Sequence, residues 1–330
     1  MFRSFIVSCI LLFGLSSVFA QIKPSGVADT SFTIIGSFKK ELKYYPNIKV
    51  ADSTMPASVT VARNIAYSSV TKDRKLLLDV YSKKGRQTKA PAILMVFGGG
   101  WRSGERTHNA TLARQLAAKG FVTITADYRL STEALFPAAI QDLKAAVRWI
   151  RANGHQQGID TACIAVLGFS AGGELAAFLG TTNGDRDYEG SGGNARFSST
   201  VHAVIDIDGT LSFVHPDSGE GNDSKSISAA TYWFGYPKAE KYHLWNQASP
   251  LSHVGAATPP FLFINSSVER MHAGRDDFIK KLNEYDIYSS IKSFPDAPHT
   301  FMFFDPWFEP TLNAVNAFLN HVFPAKKSEK

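Results

Sequence analysis

Cysteine is almost absent from the sequence, with two in 330 residues, Cys9 and Cys163. Cys9 lies in an N-terminal segment that we expect to be removed, so the mature chain holds one cysteine and no intrachain disulfide. A disulfide-stapled scaffold is therefore excluded. A chain of this length is large enough to bury an apolar core without covalent cross-links.

Charged residues are also few, at 19% of the chain, whereas 44% of residues are hydrophobic, which excludes a disordered chain. The glycines have no regular spacing and no segment repeats, which excludes collagen-like and solenoid architectures. The net charge is +6, a value that favours anionic substrates. Basic residues form no block except a short tail, residues 324–330, so we expect no nucleic-acid partner.

Long apolar runs are missing except at the N-terminus, where residues 5–18 are apolar and follow Arg3. Val18 and Ala20 occupy the −3 and −1 positions of a cleavage site. We therefore predict a signal peptide over residues 1–20 and export to the periplasm or beyond, with no integral membrane segment after cleavage. The run is short for a membrane-spanning helix of about 20 residues, and an uncleaved anchor is the alternative.

The order of apolar segments indicates an α/β fold. After a lead-in of mixed composition over residues 21–58, residues 59–66 and 75–81 alternate apolar and polar, as antiparallel strands do. Further on, apolar strands alternate with helices, which predicts one domain over residues 59–323. Its sheet is expected to be twisted and mostly parallel, with helices on both faces and an antiparallel N-terminal edge. A long insertion is expected over about residues 212–253.

The clearest helix is predicted over residues 137–153. Apolar residues such as Ile140 and Val147 recur there at helical spacing, and Gly154 is expected to end the helix.

A Gly-x-Ser-x-Gly sequence occupies residues 168–172, between a predicted strand and a predicted helix. This context is typical of a nucleophile elbow, in which the serine projects from the end of a strand onto a helix N-terminus. The sequence therefore predicts Ser170 as a catalytic nucleophile. The simpler alternative is an ordinary glycine-rich loop.

A nucleophilic serine needs a base and an acid, which follow it in the order acid and then histidine. His299 comes after the last predicted strand, so we predict that it is the base. The turn after the strand at residues 261–265 holds Glu269, which we predict is the acid that orients His299. Asp276 is the alternative acid, and Asp296 is a further one.

Backbone N–H groups are expected to hold the negative oxygen of the reaction intermediate. The glycine-rich loop at residues 97–101 follows a buried strand, and glycine lets the backbone approach a carbonyl oxygen closely. We predict an oxyanion hole formed by Gly98, Gly99 and Ala171.

These segments together resemble the α/β-hydrolase superfamily, and within it the carbohydrate esterases that carry a His-Gly-Gly-Gly-Trp loop. The resemblance covers most of residues 60–323. Segments at residues 127–130 and 248–251 also resemble these carbohydrate esterases. More narrowly, residues 263–276 and 298–310 resemble exported esterases of polysaccharide-degrading bacteria, a group that includes pectin esterases. Two departures are Phe97, where the loop usually has histidine, and Glu269, where aspartate is commoner.

The resemblance implies an exported serine carbohydrate esterase that acts on plant cell-wall polysaccharide, with pectin methylesterase as the first candidate. The implied reaction is acyl transfer through an acyl-enzyme, with no metal or cofactor. The expected substrate is a polysaccharide or oligosaccharide ester. Arg270 and Arg275 are candidate ligands of uronate carboxylates, and Trp101, Trp307 and His272 are candidate substrate contacts. For each of them an ordinary structural role is the alternative.

Three alternatives to pectin methylesterase stay open at this point. The first is an acetyl or feruloyl esterase acting on xylan or pectin. The second is a serine exopeptidase, although the chain has no room for the extra domain that such enzymes carry. The third is a hydrolase fold without activity that binds glycans. The oligomeric state is not indicated by the sequence.

Overall fold

The computed structural model describes residues 20–324. The predicted signal peptide and the basic tail lie outside these residues, except for Ala20 and Pro324. The strands are β1 (Lys49–Val50), β2 (Val59–Ser69), β3 (Lys75–Lys83), β4 (Ala90–Val96), β5 (Val122–Ala126), β6 (Ile159–Phe169), β7 (Ala203–Ile207), β8 (Phe261–Asn265), β9 (Ser289–Ser293) and β10 (Phe304–Asp305). The α-helices are α1 (Ile34–Glu41), α2 (Ala110–Ala118), α3 (Ala138–Gln157), α4 (Ala171–Thr181), α5 (Ala229–Phe234), α6 (Tyr242–Gln247), α7 (Arg275–Glu284) and α8 (Phe308–Val322).

Eight strands form the central sheet, in the order β2-β3-β5-β4-β6-β7-β8-β9. β2 pairs antiparallel with β3, and β3 pairs antiparallel with β5. All later neighbours, from β5–β4 to β8–β9, pair in parallel. The predicted α/β class, with its antiparallel N-terminal edge, is confirmed.

The central strands are buried because helices cover both faces of the sheet. Every residue of β5, β7 and β8 is buried, as expected for continuous apolar runs in a parallel sheet. One core contains apolar side chains of α3, α4 and α7, and the other contains those of α2 and α8. The carboxyl ends of the parallel strands therefore meet at one edge, where ligand sites of open α/β sheets form.

α3 is longer than the sequence pattern predicts. It continues through Gly154 and ends at Gly158, which adopts a left-handed conformation with φ of 63°. A Cβ atom at Gly154 would lie 2.4 Å from the side chain of Thr161. Gly154 therefore lets the helix pack closely against β6, and does not end it.

Residues before the sheet dock onto the domain. β1 pairs with β10, and the N–H of Ile22 donates to the carbonyl of Gly235. Asp29 forms an ion pair of 2.7 Å with Arg102. The lead-in thus contacts both the loop after β4 and the insertion between β7 and β8.

The insertion contains α5 and α6 around a cluster of aromatic rings. Phe213, Trp233, Phe234 and Trp245 are all buried there. Trp233 stacks on Trp101 of the loop after β4, with ring centroids 4.9 Å apart. The aromatic cluster of the insertion therefore packs against the loop after β4, at the carboxyl edge of the sheet.

Candidate active site

Ser170 lies in a sharp turn between β6 and α4. Its φ is 56°, a left-handed value that is uncommon for a residue with a side chain. A Cβ atom at Gly168 would lie 1.8 Å from the carbonyl oxygen of Gly172, and one at Gly172 would lie 2.3 Å from that of Val96. The two glycines of the motif are thus required by close backbone packing, and the turn exposes Ser170 at the edge of the sheet.

Substituting Gly168 by alanine is expected to destabilise the fold by about 3 kcal/mol, because the added methyl group has to displace backbone atoms. Urea denaturation of Gly168→Ala against the wild type measures this change. Gly255→Ala is the matched control, because the nearest atom to its added Cβ lies 4.0 Å away. Equal unfolding midpoints for all three proteins would show that the turn has room for a side chain.

His299 lies against Ser170. Its Nε2 atom is 2.9 Å from Ser170 Oγ, and its Nδ1 atom is 2.9 Å from Asp208 Oδ2. The imidazole ring also stacks on Phe169, with centroids 4.9 Å apart. A carboxylate only accepts hydrogen bonds, so Nδ1 carries the proton and Nε2 is free to accept the proton of Ser170.

Asp208 is held rigidly at the end of β7. Its side chain is fully buried, and its Oδ1 atom accepts the N–H of Ser266 at 2.8 Å. Its own N–H donates to the carbonyl of Ile264. The residue has a φ of 51°, in the left-handed region that aspartate tolerates better than most residues. These bonds aim the remaining carboxylate oxygen at His299.

The sequence prediction of the acid is therefore wrong. Glu269 is exposed in a short 3-10 turn, and Asp276 is 83% exposed and pairs with Arg275. Neither of them contacts His299, since Ser170 and Asp208 occupy its two ring nitrogens. Asp208 directly follows the strand at residues 203–207 and precedes Gly209, but the sequence alone does not distinguish it from the other carboxylates near the strand ends.

Asp206, two residues before the acid, is also buried. Its Oδ1 atom accepts the N–H of Gly209 at 2.9 Å. Burial raises the pKa of Asp206 well above its usual range, and the neighbouring Asp208 raises it further. Asp206 therefore shapes the turn after β7 through its bond to Gly209, and its burial favours the protonated form.

The loop after β4 lies directly beside Ser170. A Cβ atom at Gly98 would lie 2.5 Å from the carbonyl of Phe169 and 3.0 Å from Ser170 Cβ. Gly99 follows with a φ of 133°, and Ala171 is the first residue of α4, where N–H groups have no partner within the helix. Gly98 therefore packs against Ser170, and Ala171 follows Ser170 in the chain; the role of these N–H groups as oxyanion donors stays a prediction.

Phe97 fills the position where the resembling esterases have histidine. Its ring is buried and stacks on Tyr128, with centroids 4.3 Å apart. Tyr128 Oη donates to the carbonyl of Phe97 at 2.8 Å. The start of the loop is thus supported by a stacked tyrosine, and histidine is not needed for this.

Residues 78–272, more than half of the chain, match the family model described as BD-FAE. The chain belongs to the BD-FAE family. The matched segment contains Ser170 and Asp208 and ends before His299.

Relatives of this BD-FAE chain are named esterases. This chain is 33% identical to Esterase LipC of Mycobacterium tuberculosis over 264 residues. The match covers 76% of this chain and 63% of LipC. A solved structure called a truncated carbohydrate esterase from gut microbiota is 26% identical with a TM-score of 0.68, covering 83% of this chain and 99% of that one. The native Est2 esterase of Thermogutta terrifontis is 25% identical with a TM-score of 0.65, covering 83% and 96%.

The chain spans less than two thirds of the curated relatives with the strongest matches. It covers 63% of LipC, 29% of Esterase LipI and 40% of the probable carboxylic ester hydrolase LipM, all from Mycobacterium tuberculosis. Within residues 20–324, none of the helices has the length and apolar character that crossing a bilayer requires.

Two predicted substrate contacts of the BD-FAE chain are buried in its core. Trp101 is 4% exposed and Trp307 is 6% exposed, so the prediction that they contact the substrate is wrong and the structural alternative holds. Trp307 packs edge-on against Tyr45 of the lead-in. Large aromatic rings at these positions supply apolar burial.

The predicted polar contacts of the BD-FAE chain have different environments. Arg275 is largely enclosed, and donates to Asn265 and Asp276. Arg270 is 56% exposed, 4.0 Å from Glu220 of the insertion. His272 is half-buried, and burial lowers its pKa. Arg270 is therefore the more available of the two arginines for a ligand.

Proposed function

We propose that this protein is a serine esterase that hydrolyses ester groups on plant cell-wall polysaccharide, with methyl-esterified pectin as the first candidate substrate. The observation that carries the esterase proposal is the chain of 2.9 Å contacts from Ser170 Oγ through His299 to Asp208. The carbohydrate esterase among the structural relatives supports a glycan substrate. The net charge of +6 and the exposed Arg270 support an acidic one.

The proposed reaction begins with proton transfer from Ser170 Oγ to His299 Nε2, while Oγ attacks the ester carbonyl carbon. The N–H groups of Gly98, Gly99 and Ala171 donate to the oxygen that becomes negative. Asp208 stabilises the imidazolium ion that forms on His299. His299 then protonates the leaving alcohol, and afterwards activates the water that releases the acid and regenerates Ser170.

The identity of the ester decides on which side of the reaction the polymer lies. In a methyl ester of pectin the polymer is the acyl group and methanol leaves. In an acetyl ester the polymer is the leaving alcohol and the acetyl group remains on Ser170 until water releases it as acetate. An acetyl or feruloyl esterase is thus the second candidate, because it uses the same triad with a differently placed polymer.

The deciding experiment incubates the protein with methyl-esterified pectin, acetylated pectin and acetylated xylan, and measures methanol and acetate separately. We expect methanol from pectin, and Ser170→Ala provides the background rate for each substrate. Acetate without methanol would replace the methylesterase proposal by a deacetylase. Release of neither product, together with no labelling of Ser170 by a fluorophosphonate, would favour a glycan-binding protein without activity.

Export is proposed together with this function, because a cell-wall polymer lies outside the cell. Fractionation of the producing cells, followed by N-terminal sequencing, tests the proposal. We expect a mature chain that begins at Gln21, the residue after the predicted cleavage site.

A further inference from the structure

The loop that lies beside Ser170 has an unusual backbone. Gly99, Gly100 and Trp101 are consecutive residues with positive φ, at 133°, 62° and 56°. Glycine adopts such values freely, but tryptophan does so only when surrounding contacts enforce them. Contacts with neighbouring residues must therefore hold Trp101 in this conformation.

Three contacts hold Trp101. Its indole N–H donates to Glu174 Oε2 at 2.9 Å, and its carbonyl accepts the N–H of Ser131 at 2.7 Å. Its ring stacks on Trp233 with an interplanar angle of 7°. The side chain is thus fixed from α4, from the loop after β5 and from the insertion.

Glu174 is a buried carboxyl side chain with few polar contacts. It lies in the first turn of α4, and its N–H donates to the carbonyl of Ser170 at 3.1 Å. The side chain is fully buried, and Oε1 has no hydrogen-bond partner among residues 20–324. A buried carboxyl group that forms one bond is costly, and an apolar side chain in its place would avoid that cost.

We propose that Glu174 is a positioning residue of the esterase, which fixes the conformation of the loop at residues 98–101 through the indole N–H of Trp101. The inference rests on the proposed function, in which the loop supplies oxyanion donors. Glu174 lies on the same helix as Ala171, so its bond to Trp101 ties the helix to the loop. This bond keeps the donors of Gly98 and Gly99 at a constant distance from the donor of Ala171.

The charge state of Glu174 agrees with this role. Burial raises its pKa well above the usual range of a glutamate. Burial therefore favours the protonated form, in which a carbonyl oxygen accepts the indole N–H. Glutamine has nearly the same shape, no charge and the same carbonyl acceptor.

The test compares Glu174→Gln, Glu174→Leu, Trp101→Phe and the double variant Trp101→Phe/Glu174→Leu with the wild type on p-nitrophenyl acetate. We expect Glu174→Gln to retain kcat within about threefold and to keep the pH profile of the wild type. Glu174→Leu and Trp101→Phe are expected to lose about 10²-fold in kcat, as the loss of one oxyanion donor does. KM is expected to change little, because the loop acts in the transition state.

The double variant is expected to be no slower than either single variant, since both substitutions remove the same bond. Urea midpoints show which proteins are folded. If Glu174→Leu does not fold, Trp101→Phe carries the test, because phenylalanine keeps one aromatic ring against Trp233 while it removes the indole N–H.

Four outcomes would overturn the proposal. They are wild-type kcat in folded Glu174→Leu and Trp101→Phe, additive losses in the double variant, a loss in Glu174→Gln as large as that in Glu174→Leu, and losses confined to KM. Each of these leaves the proposed function standing. A wild type that neither hydrolyses the ester nor is labelled at Ser170 would overturn the proposed function, and with it this inference.

Discussion

Replacing Ser170 by alanine is expected to lower kcat for ester hydrolysis by about 10⁶-fold. The substitution removes the oxygen that lies 2.9 Å from His299 Nε2 and leaves the histidine with nothing to activate. Residual hydrolysis is expected from the oxyanion donors alone. Steady-state kinetics on a chromogenic ester, together with loss of fluorophosphonate labelling, measures the effect.

The substitution should leave the fold intact, because it removes one atom at the surface of the turn and keeps the backbone of Ser170. Circular dichroism and urea denaturation of Ser170→Ala provide this control. A folded Ser170→Ala protein with more than a tenth of the wild-type kcat would show that another group is the nucleophile.

Asp208→Asn is expected to lower kcat by about 10⁴-fold. Asparagine keeps one carbonyl oxygen for the N–H of Ser266, so the turn is retained. Its amide N–H would donate to His299 Nδ1, which moves the ring proton to Nε2 and prevents that atom from accepting the proton of Ser170. Steady-state kinetics of the purified variant and the wild type measure this decrease in kcat.

Glu269→Gln is the matched control, since it makes the same change at the acid that the sequence favoured. Glu269 is exposed and does not reach His299, so the variant is expected to retain kcat within about twofold. A large loss in Glu269→Gln combined with full activity in Asp208→Asn would reverse the assignment of the acid.

The α/β fold class and the antiparallel N-terminal edge of the sheet were predictable, because the pattern of apolar and polar residues within each strand indicates how that strand is buried. The alternation in β2 and β3 and the continuous apolar run of β4 are local properties of the sequence. The end of α3 was not predictable in the same way. Gly154 is a helix-ending residue by propensity, and only its contact with Thr161 shows why it stays within the helix.

The prediction that Ser170 and His299 meet depended on local context, and the structure places them 2.9 Å apart. The acid depended on tertiary geometry. Whether a carboxylate after β7 or after β8 reaches the histidine is decided by how the two turns bend. No pattern within either turn determines this, so the sequence offered several carboxylates and favoured the wrong one.

The roles of the tryptophan residues were also not predictable from the sequence. Trp101 and Trp307 were predicted as substrate contacts, with an ordinary structural role as the alternative, and the structure shows each of them buried against other rings. Aromatic side chains contribute large apolar areas to cores, and composition alone does not separate this role from ligand binding.

The position of Asp208 has a consequence for protein engineering. β6, which leads to the nucleophile, and β7, which leads to Asp208, are hydrogen-bonded neighbours, so the sheet itself fixes the spacing of these two groups. The 3-10 turn at Glu269–His272, one strand further on, contributes no member of the triad. Substitutions at the exposed Glu269 and Arg270 of this turn are therefore expected to leave the triad in place, which makes these two positions suitable for randomised libraries that seek new ester preferences.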